Sequence, residues 1–214
     1  MKAVIVAAGG QVNEGVLSYL TGADIIIAAD GGGEPLIRLG IIPEAIIGDF
    51  DSLSPETTAK LERLGSKLVR VESEKDETDT ELAVRYALQL GADTITLLGV
   101  LGGRLDHSLA NLILLARLAR KQVRARAATA FLTVYAVTDE LVVRGREGEL
   151  VSVFPFQGSA AGVTEIGFKY LLRDAHLDPF AVVGISNVLA GPKGVIRIKK
   201  GVLLVFHYHD QKPG

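Results

Sequence analysis

The chain has 214 residues, 48% of them hydrophobic and 22% charged, and this composition excludes an intrinsically disordered protein because it supports a well-buried core. Its formal net charge of −2 gives no basic surface for a nucleic-acid backbone, so we expect no nucleic-acid partner. The absence of cysteine excludes disulfides, thiolate metal sites and a cysteine nucleophile.

The first apolar stretch, residues 3–8, is short and is broken by Gly9 and Gly10. We therefore interpret it as a buried first strand and not as a signal peptide. The longest apolar stretch elsewhere, residues 109–119, is well below the roughly 18 residues that span a bilayer. We expect a cytoplasmic protein with no membrane partner.

Short apolar runs alternate with longer amphipathic runs from residue 2 to about residue 120, a pattern typical of a parallel α/β sheet. The predicted strands are residues 3–6, 24–29, 45–47, 67–71 and 94–98. Thr78 and Glu81 fit a capping box that opens a helix ending at Gly91. Ser54 and Pro55 fit the N-cap and first residue of another helix.

After about residue 123 the chain changes to short apolar runs separated by Gly, Asp and Pro, with no helical period. The predicted strands are residues 131–137, 141–143, 150–154, 181–185, 195–198 and 202–208. We predict an α/β N-terminal domain with a parallel, Rossmann-like sheet over residues 1–125, and a smaller all-β sandwich over residues 126–214.

The charges segregate between the two parts of the chain. Residues 1–115 carry 9 basic and 17 acidic side chains, and the remaining residues carry 14 and 8. An acidic half beside a basic half suits a site that holds metal ions together with a polyanion. Solubilising surface charge that happens to segregate is an equally good explanation of this observation alone.

Two aspartates, Asp49 and Asp51, directly follow the predicted third strand. At i and i+2 they point to the same side if the chain stays extended, and open α/β sheets bind ligands at this end of a strand. Like charges this close repel unless a cation lies between them, and hard carboxylate oxygens suit Mg²⁺. The alternative is a turn in which one aspartate is solvated. Asp79, at the next strand-to-helix junction, would add a third carboxylate, or would only complement the helix dipole.

Glycine-rich turns follow the second and fifth predicted strands, at residues 30–33 and 99–104. Backbone N–H groups in such turns approach phosphate oxygens closely, although neither turn matches the P-loop or the dinucleotide fingerprint. Arg104 is suited to bidentate phosphate binding, and Asp106 to accepting from a ligand hydroxyl or amine. A salt bridge between the two is the alternative. Lys75 would meet a phosphate or lie in solvent.

His207 and His209 lie two positions apart near the end of the last predicted strand and would present two imidazoles on one face. Two histidines form only part of a metal site, and the neighbouring sequence offers no third ligand. We therefore interpret this segment as an exposed terminal strand.

The ordered motifs of the chain resemble those of the thiamine pyrophosphokinase family. In the first half they are Ala-Asp-Gly-Gly at 29–32, Gly-Asp-Phe-Asp-Ser at 48–52, Lys-Asp-Glu-Thr-Asp at 75–79 and Gly-Gly-Arg-Leu-Asp-His at 102–107. In the second half Gly-Val-Thr at 162–164, Gly-Phe-Lys-Tyr at 167–170 and Gly-Ile-Ser-Asn at 184–187 resemble the thiamine-binding β-domain. The resemblance covers nearly the whole chain, and the ordered set is far more specific than any single motif.

The resemblance implies a homodimer that transfers a diphosphoryl group from ATP to the hydroxyethyl oxygen of thiamine and releases AMP. It implies that Mg²⁺ is bound by Asp49, Asp51 and Asp79, and that Arg104 and Asp106 border the reacting groups. It assigns ATP to Asp30, Gly31, Gly32, Lys75, Thr78, Gly102 and Gly103. It assigns thiamine to Ser186 and Asn187 of the partner subunit.

The chain departs from the family pattern on the acceptor side. Leu171 and Leu172 follow Tyr170 where the family often has Pro-Leu, and Val188 and Leu189 replace an acidic-aromatic pair. Three other functions remain open on the residues alone: a diphosphokinase for another alcohol such as a hydroxymethyl pterin, a metal-dependent phosphohydrolase with an aspartate nucleophile, and a non-catalytic thiamine-binding module.

Overall fold

The computed structural model describes residues 1–71 and 76–209. The chain divides into two compact units, residues 1–114 with 123–130 and residues 115–122 with the chain from 131 onward. No helix in the described ranges is long and apolar enough to cross a membrane.

The first unit contains a parallel sheet. Its strands are β1 (Lys2–Val6), β2 (Ile25–Ala29), β3 (Ala45–Gly48), β4 (Lys67–Arg70), β5 (Thr94–Leu98) and β6 (Arg124–Ala128). They pair in the order β6-β5-β1-β2-β3-β4. Ile5, Ile46 and Leu97 are fully buried, as expected where helices cover both faces of a sheet. The predicted parallel α/β architecture is confirmed, but the predicted boundary between residues 125 and 126 falls inside β6.

The strand order reverses at β1, because the chain continues to β2, β3 and β4 on one side and to β5 and β6 on the other. Open α/β sheets bind ligands outside the carboxyl ends of their strands at such a reversal. The segments that follow β1, β2, β3 and β5 all leave the sheet at this edge. The fold therefore brings both glycine-rich turns and the aspartates of residues 49–51 to one side of the sheet.

The helices in the described part of the chain are α1 (Leu17–Leu20), α2 (Gly33–Arg38), α3 (Pro55–Arg63), α4 (Asp79–Gln89) and α5 (Leu105–Arg120). Both predicted helix starts are confirmed. The Ser54 hydroxyl accepts from the Thr57 N–H at 3.0 Å. The Thr78 hydroxyl accepts from the Glu81 N–H at 3.2 Å, and the Glu81 carboxylate accepts from the Thr78 N–H at 3.0 Å.

The second unit is an antiparallel β-structure. Its strands are β7 (Leu132–Val137), β8 (Glu140–Arg144), β9 (Leu150–Pro155), β10 (Ala160–Ile166), β11 (Ala175–Leu177), β12 (Asn187–Val188), β13 (Lys193–Arg197) and β14 (Leu203–Tyr208). They form the groups β12-β9-β14-β7 and β11-β10-β13-β8. Val153 and Val205 of the first group share a core with Val163 and Ile196 of the second. The predicted all-β sandwich is confirmed. The interpretation of the last strand as exposed was wrong, because β14 pairs with β7 on one side and β9 on the other and His207 is buried.

The prediction of a strand over residues 181–185 was wrong. This segment forms a tight turn, in which the Val183 N–H donates to the Ala181 carbonyl, and Gly184 has a left-handed φ of 92°. The Val182 side chain is 72% exposed, so apolar character here does not indicate burial. β10 was missed because Gly162 introduces a register shift that interrupts the strand alternation.

Candidate active site

Three aspartates come together at the carboxyl edge of the parallel sheet. Asp30 follows β2, and Asp49 and Asp51 follow β3; one carboxylate oxygen from each lies within 4.8 Å of the others. Asp30 is 7% exposed, and its Oδ1 has no hydrogen-bond partner within the described ranges. A buried carboxylate is costly unless it is paired or coordinates a metal ion. The hard oxygen donors of this cluster fit Mg²⁺.

The chain around Asp49 and Asp51 is turned and not extended, as in the alternative of a turn with one solvated aspartate, and Asp51 is exposed. β3 ends at Gly48, and Phe50 has a left-handed φ of 67°. The Asp49 carboxylate accepts from the Asp51 N–H at 3.1 Å, which closes the turn. Arg70 supports it, because its guanidinium lies 5.0 Å from the Phe50 ring centroid and donates to the Asp49 carbonyl. Strained residues of this kind cluster at functional sites.

Glycines allow the strand ends to approach closely at the aspartate cluster. A Cβ on Gly32 would lie 1.9 Å from the Val6 carbonyl oxygen, and a Cβ on Gly31 would lie 3.1 Å from the Ala8 Cβ. Both glycines are buried in the short turn that Asp30 begins, with a φ of 42° at Asp30. They pack the turn against the end of β1 and so fix where the Asp30 carboxylate lies.

An open cleft of about 630 Å³ lies beside this turn. Its walls come from the segment after β1, from the start of α2 and from Ser52. The sequence analysis missed the segment after β1 as a site element. The sequence feature that could have indicated this segment is the glycine pair Gly9 and Gly10. In the structure a Cβ on Gly10 would lie 2.1 Å from the Leu101 carbonyl oxygen, so only glycine fits there. Close approach of the segments after β1 and β5 marks the point where the strand order reverses.

The second glycine turn presents an exposed ion pair. Gly102 and Gly103 have left-handed φ values of 114° and 52°, which glycine adopts without strain. Arg104 donates to both carboxylate oxygens of Asp106, from Nη2 at 2.6 Å and from Nε at 3.2 Å. This hydrogen bonding lowers the pKa of Asp106 to about 2. The structure thus shows the Arg104–Asp106 salt bridge, which was the alternative interpretation of these two residues. The Arg104 side chain is 70% exposed to solvent and is therefore accessible to an anion.

The other predicted residues of this site belong to the start of α4 and to the segment before it. Asp79 is the first residue of α4 and is half-buried, and the three-carboxylate group found among residues 1–71 and 76–209 contains Asp30 and not Asp79. The Thr78 hydroxyl is used in the helix cap. Lys75 lies outside the described residues.

The two predicted acceptor-side residues have different environments in the second unit. Ser186 is exposed, with a left-handed φ of 55°, and its N–H donates to the Ser152 hydroxyl at 3.0 Å. Asn187 is buried: its Nδ2 donates to the Glu165 carboxylate at 2.8 Å and to the Tyr170 carbonyl, and its Oδ1 accepts from two backbone N–H groups. The Asn187 amide is therefore fully used within the unit and fixes the chain at Tyr170.

Glu165 is a buried acid that the sequence analysis did not single out. It is 2% exposed, and its Oε1 has no hydrogen-bond partner in the described chain. Burial raises the pKa of Glu165 to about 7, against the smaller lowering effect of the hydrogen bond from Asn187. Its position in the middle of β10 gave no signal, because strand residues alternate between core and solvent and a glutamate is expected on the solvent side.

The parallel sheet, with glycine turns and clustered carboxylates where its strand order reverses, defines the class of protein as a doubly wound α/β protein whose candidate ligand site lies at that sheet edge. Residues 16–127 match the family model described as thiamin pyrophosphokinase, catalytic domain, and residues 139–203 match thiamin pyrophosphokinase, vitamin B1 binding domain. The chain belongs to the thiamin pyrophosphokinase family.

Individual relatives agree with the family assignment. The thiamine pyrophosphokinase of Bacillus subtilis (strain 168) is 29% identical over 214 residues, which cover 98% of this chain and 100% of the relative. Its crystal structure superimposes with a TM-score of 0.88 and covers 99% of this chain and 100% of that one at 28% identity. The thiamin pyrophosphokinase structure from Geobacillus thermodenitrificans gives a TM-score of 0.85 at 29% identity, with 99% of each chain covered.

Proposed function

We propose that the protein transfers the β,γ-diphosphoryl group of ATP to the hydroxyethyl oxygen of thiamine, giving thiamine diphosphate and AMP. The observation that carries the proposal is that carboxylate oxygens of Asp30, Asp49 and Asp51 lie within 4.8 Å of one another. In addition, Asp30 Oδ1 is buried and has no hydrogen-bond partner among the described residues. Membership of the thiamin pyrophosphokinase family supports the choice of acceptor and donor.

Mg²⁺ bound to the ATP phosphates would be held by Asp30, Asp49 and Asp51, where it would neutralise negative charge on the diphosphoryl group. Asp79 remains a predicted contributor at the start of α4. In the reaction the thiamine hydroxyl oxygen bonds to the β-phosphorus while the bond from that phosphorus to the α,β-bridging oxygen breaks. AMP departs with the electron pair, and the hydroxyl proton is released.

Residues of the second glycine turn are suited to bind and orient the reacting groups. We propose that Arg104 exchanges its bond with Asp106 for a bidentate bond with phosphate oxygens, since both are exposed and guanidinium matches phosphate geometry. The Asp106 carboxylate that Arg104 releases then accepts the hydrogen bond of the thiamine hydroxyl. Late transfer of the proton to this carboxylate suffices when the transition state is loose. Backbone N–H groups of Gly102 and Gly103 are proposed to contact phosphate.

We propose that the active form is a homodimer with thiamine bound at the subunit interface. Phe180 is 97% exposed, and Tyr170, Val182 and Ile185 are also exposed apolar side chains of the second unit. Exposed apolar side chains of this kind support the proposed interface. Exposed Ser186 lies next to this segment and is the proposed thiamine contact, with Asn187 fixing the chain. We propose that the enzyme works in the cytoplasm, where ATP is available as the donor.

Phosphorus NMR of ATP, Mg²⁺, thiamine and the protein tests the proposed reaction. AMP and thiamine diphosphate are the expected products, and Asp49→Asn or Asp51→Asn should lose most turnover while the circular dichroism spectrum is unchanged. Release of inorganic phosphate in the absence of thiamine would identify a phosphohydrolase and overturn the proposal. Consumption of ATP with a hydroxymethyl pterin but not with thiamine would identify a different diphosphokinase, and thiamine binding without AMP would identify a binding module.

A further inference from the structure

A second group of side chains that could bind a metal ion lies in the second unit. Glu149, His207 and His209 each offer a ligand atom, and the three atoms lie within 4.8 Å of one another. The strand register explains how they meet. His207 on β14 pairs with Val151 on β9, so the alternating positions 149 and 151 face the same side as 207 and 209. The third ligand missing from the local sequence is therefore Glu149, which directly precedes β9 and lies 58 positions before His207.

The three side chains are held in place by the surrounding unit. His207 is 1% exposed, and its Nε2 lies 2.8 Å from Oε2 of Glu149, whose side chain is 7% exposed. The rings of His207 and His209 are 4.3 Å apart between centroids and are inclined by 67°. Thr133 Oγ1 lies 2.8 Å from Nε2 of His209. Hydrogen bonds of this kind from neighbouring groups orient the histidines of metal sites.

Gly145 allows the backbone to approach two of the buried ligand atoms closely. A Cβ at this position would lie 2.1 Å from Glu149 Oε2 and 2.9 Å from His207 Nε2. Any other residue would therefore collide with the Glu149 carboxylate. The backbone at Gly145 thus packs directly against the Glu149 and His207 ligand atoms and helps to fix their positions.

We propose that Glu149, His207 and His209 form a transition-metal site that takes Zn²⁺ and links β14 to β9. Two imidazoles and one carboxylate are a recurrent protein ligand set for zinc, with water in the fourth position. The chemistry differs from that of the all-oxygen aspartate cluster, because nitrogen ligands favour zinc and cobalt over magnesium. Metal binding at this site stabilises the second unit and takes no part in the diphosphoryl transfer.

Cobalt spectroscopy and calorimetry on the full chain test this site. Metal-free protein titrated with Co²⁺ should develop visible d–d absorption that saturates at one equivalent and is displaced by Zn²⁺. His209→Asn and Glu149→Gln should abolish the absorption and weaken Zn²⁺ binding by more than about 100-fold. His176→Asn is the matched control, because His176 is exposed on β11 and outside the cluster. The Asp49→Asn, Asp51→Asn double variant should keep the absorption.

Two results would overturn the metal site. One is the absence of saturable Co²⁺ absorption in the unmodified protein, which would leave the cluster as a hydrogen-bonded network only. The other is absorption that survives His209→Asn but disappears in the double aspartate variant, which would place the cation at the aspartate cluster. Circular dichroism and the melting temperature of each metal-free variant confirm that it is folded, so that loss of binding is not loss of structure.

Discussion

A Cβ added to Gly48 would lie 2.8 Å from the Cβ of Asp30. β3 therefore ends against the turn that carries the buried aspartate of the cluster, and only glycine fits between them. Real Cβ atoms do not approach this closely, and the Asp30 Cα at 3.1 Å prevents a simple side-chain adjustment. The position of the Asp30 carboxylate consequently depends on the absence of a side chain at residue 48.

Gly48→Ala should displace Asp30 and weaken Mg²⁺ binding. We expect overpacking to lower the free energy of unfolding by about 1–3 kcal/mol. The Mg²⁺ concentration for half-maximal turnover should rise by about tenfold, the effect of losing roughly 1.4 kcal/mol of binding. Gly191→Ala is the control, since a Cβ there meets no atom within 4 Å and φ is not left-handed. An unchanged Mg²⁺ requirement in Gly48→Ala would contradict the role given to this contact.

Asp30→Asn should have opposite effects on two properties: it should raise the melting temperature of the metal-free protein and weaken Mg²⁺ binding. Without Mg²⁺ the change removes a buried charge close to two other carboxylates, so the melting temperature should rise by about 2–4 °C for a gain of roughly 1 kcal/mol. The variant should also lose the increase in melting temperature that Mg²⁺ gives the unmodified protein. Asp51→Asn provides the comparison, because Asp51 is exposed and its replacement relieves no burial. Equal stabilisation by Mg²⁺ in the unmodified protein and Asp30→Asn would exclude Asp30 as a ligand.

The sequence was sufficient for the parallel sheet, the helix caps and the edge at which the site lies. Four strands, β1, β2, β3 and β5, are apolar runs followed by polar or glycine-rich turns. This pattern is local in the sequence, so it can be recognised without knowledge of the tertiary structure. The capping box of Thr78 and Glu81 was predictable because its two hydrogen bonds join residues only three positions apart.

The membership of the aspartate cluster was not predictable from spacing. Asp30 joins Asp49 and Asp51 through a left-handed backbone conformation and a glycine contact between two strands, and both are tertiary features. Glu149 reaches His207 by strand register, which the sequence does not specify at that distance. The exposed apolar segment 180–185 misled the strand assignment because hydrophobicity alone does not distinguish a core from an interaction surface.

Arg104→Gln should raise the KM for ATP by about 10–100-fold if Arg104 makes charge-assisted hydrogen bonds to phosphate. The melting temperature should not change, because the Arg104–Asp106 pair is exposed and such pairs contribute little to stability. Arg104→Lys should be intermediate, since lysine keeps the charge but loses the bidentate geometry. Arg197→Gln breaks a comparable exposed pair with Glu140 and should leave the KM for ATP unchanged. An equal KM in Arg104→Gln would remove Arg104 from the phosphate site.

Glu165 should make the stability of the protein depend on pH between about 4.5 and 7. Burial raises the pKa of Glu165 from 4.5 to about 7, so the folded state holds a proton in this range that the unfolded state has released. Stability is therefore highest below pH 4.5 for this group and falls as the pH rises to about 7, by roughly 3 kcal/mol in total.

Glu165→Gln should abolish this pH dependence, because glutamine still accepts from the Asn187 amide and never ionises. Urea unfolding at pH 5, 6, 7 and 8 should show a falling free energy of unfolding for the unmodified protein and a flatter profile for the variant. At pH 8 the variant should be the more stable by up to about 3 kcal/mol. Glu140→Gln, at an exposed position of the same unit, should retain the slope. Parallel profiles for the unmodified protein and Glu165→Gln would show that Glu165 does not titrate in this range.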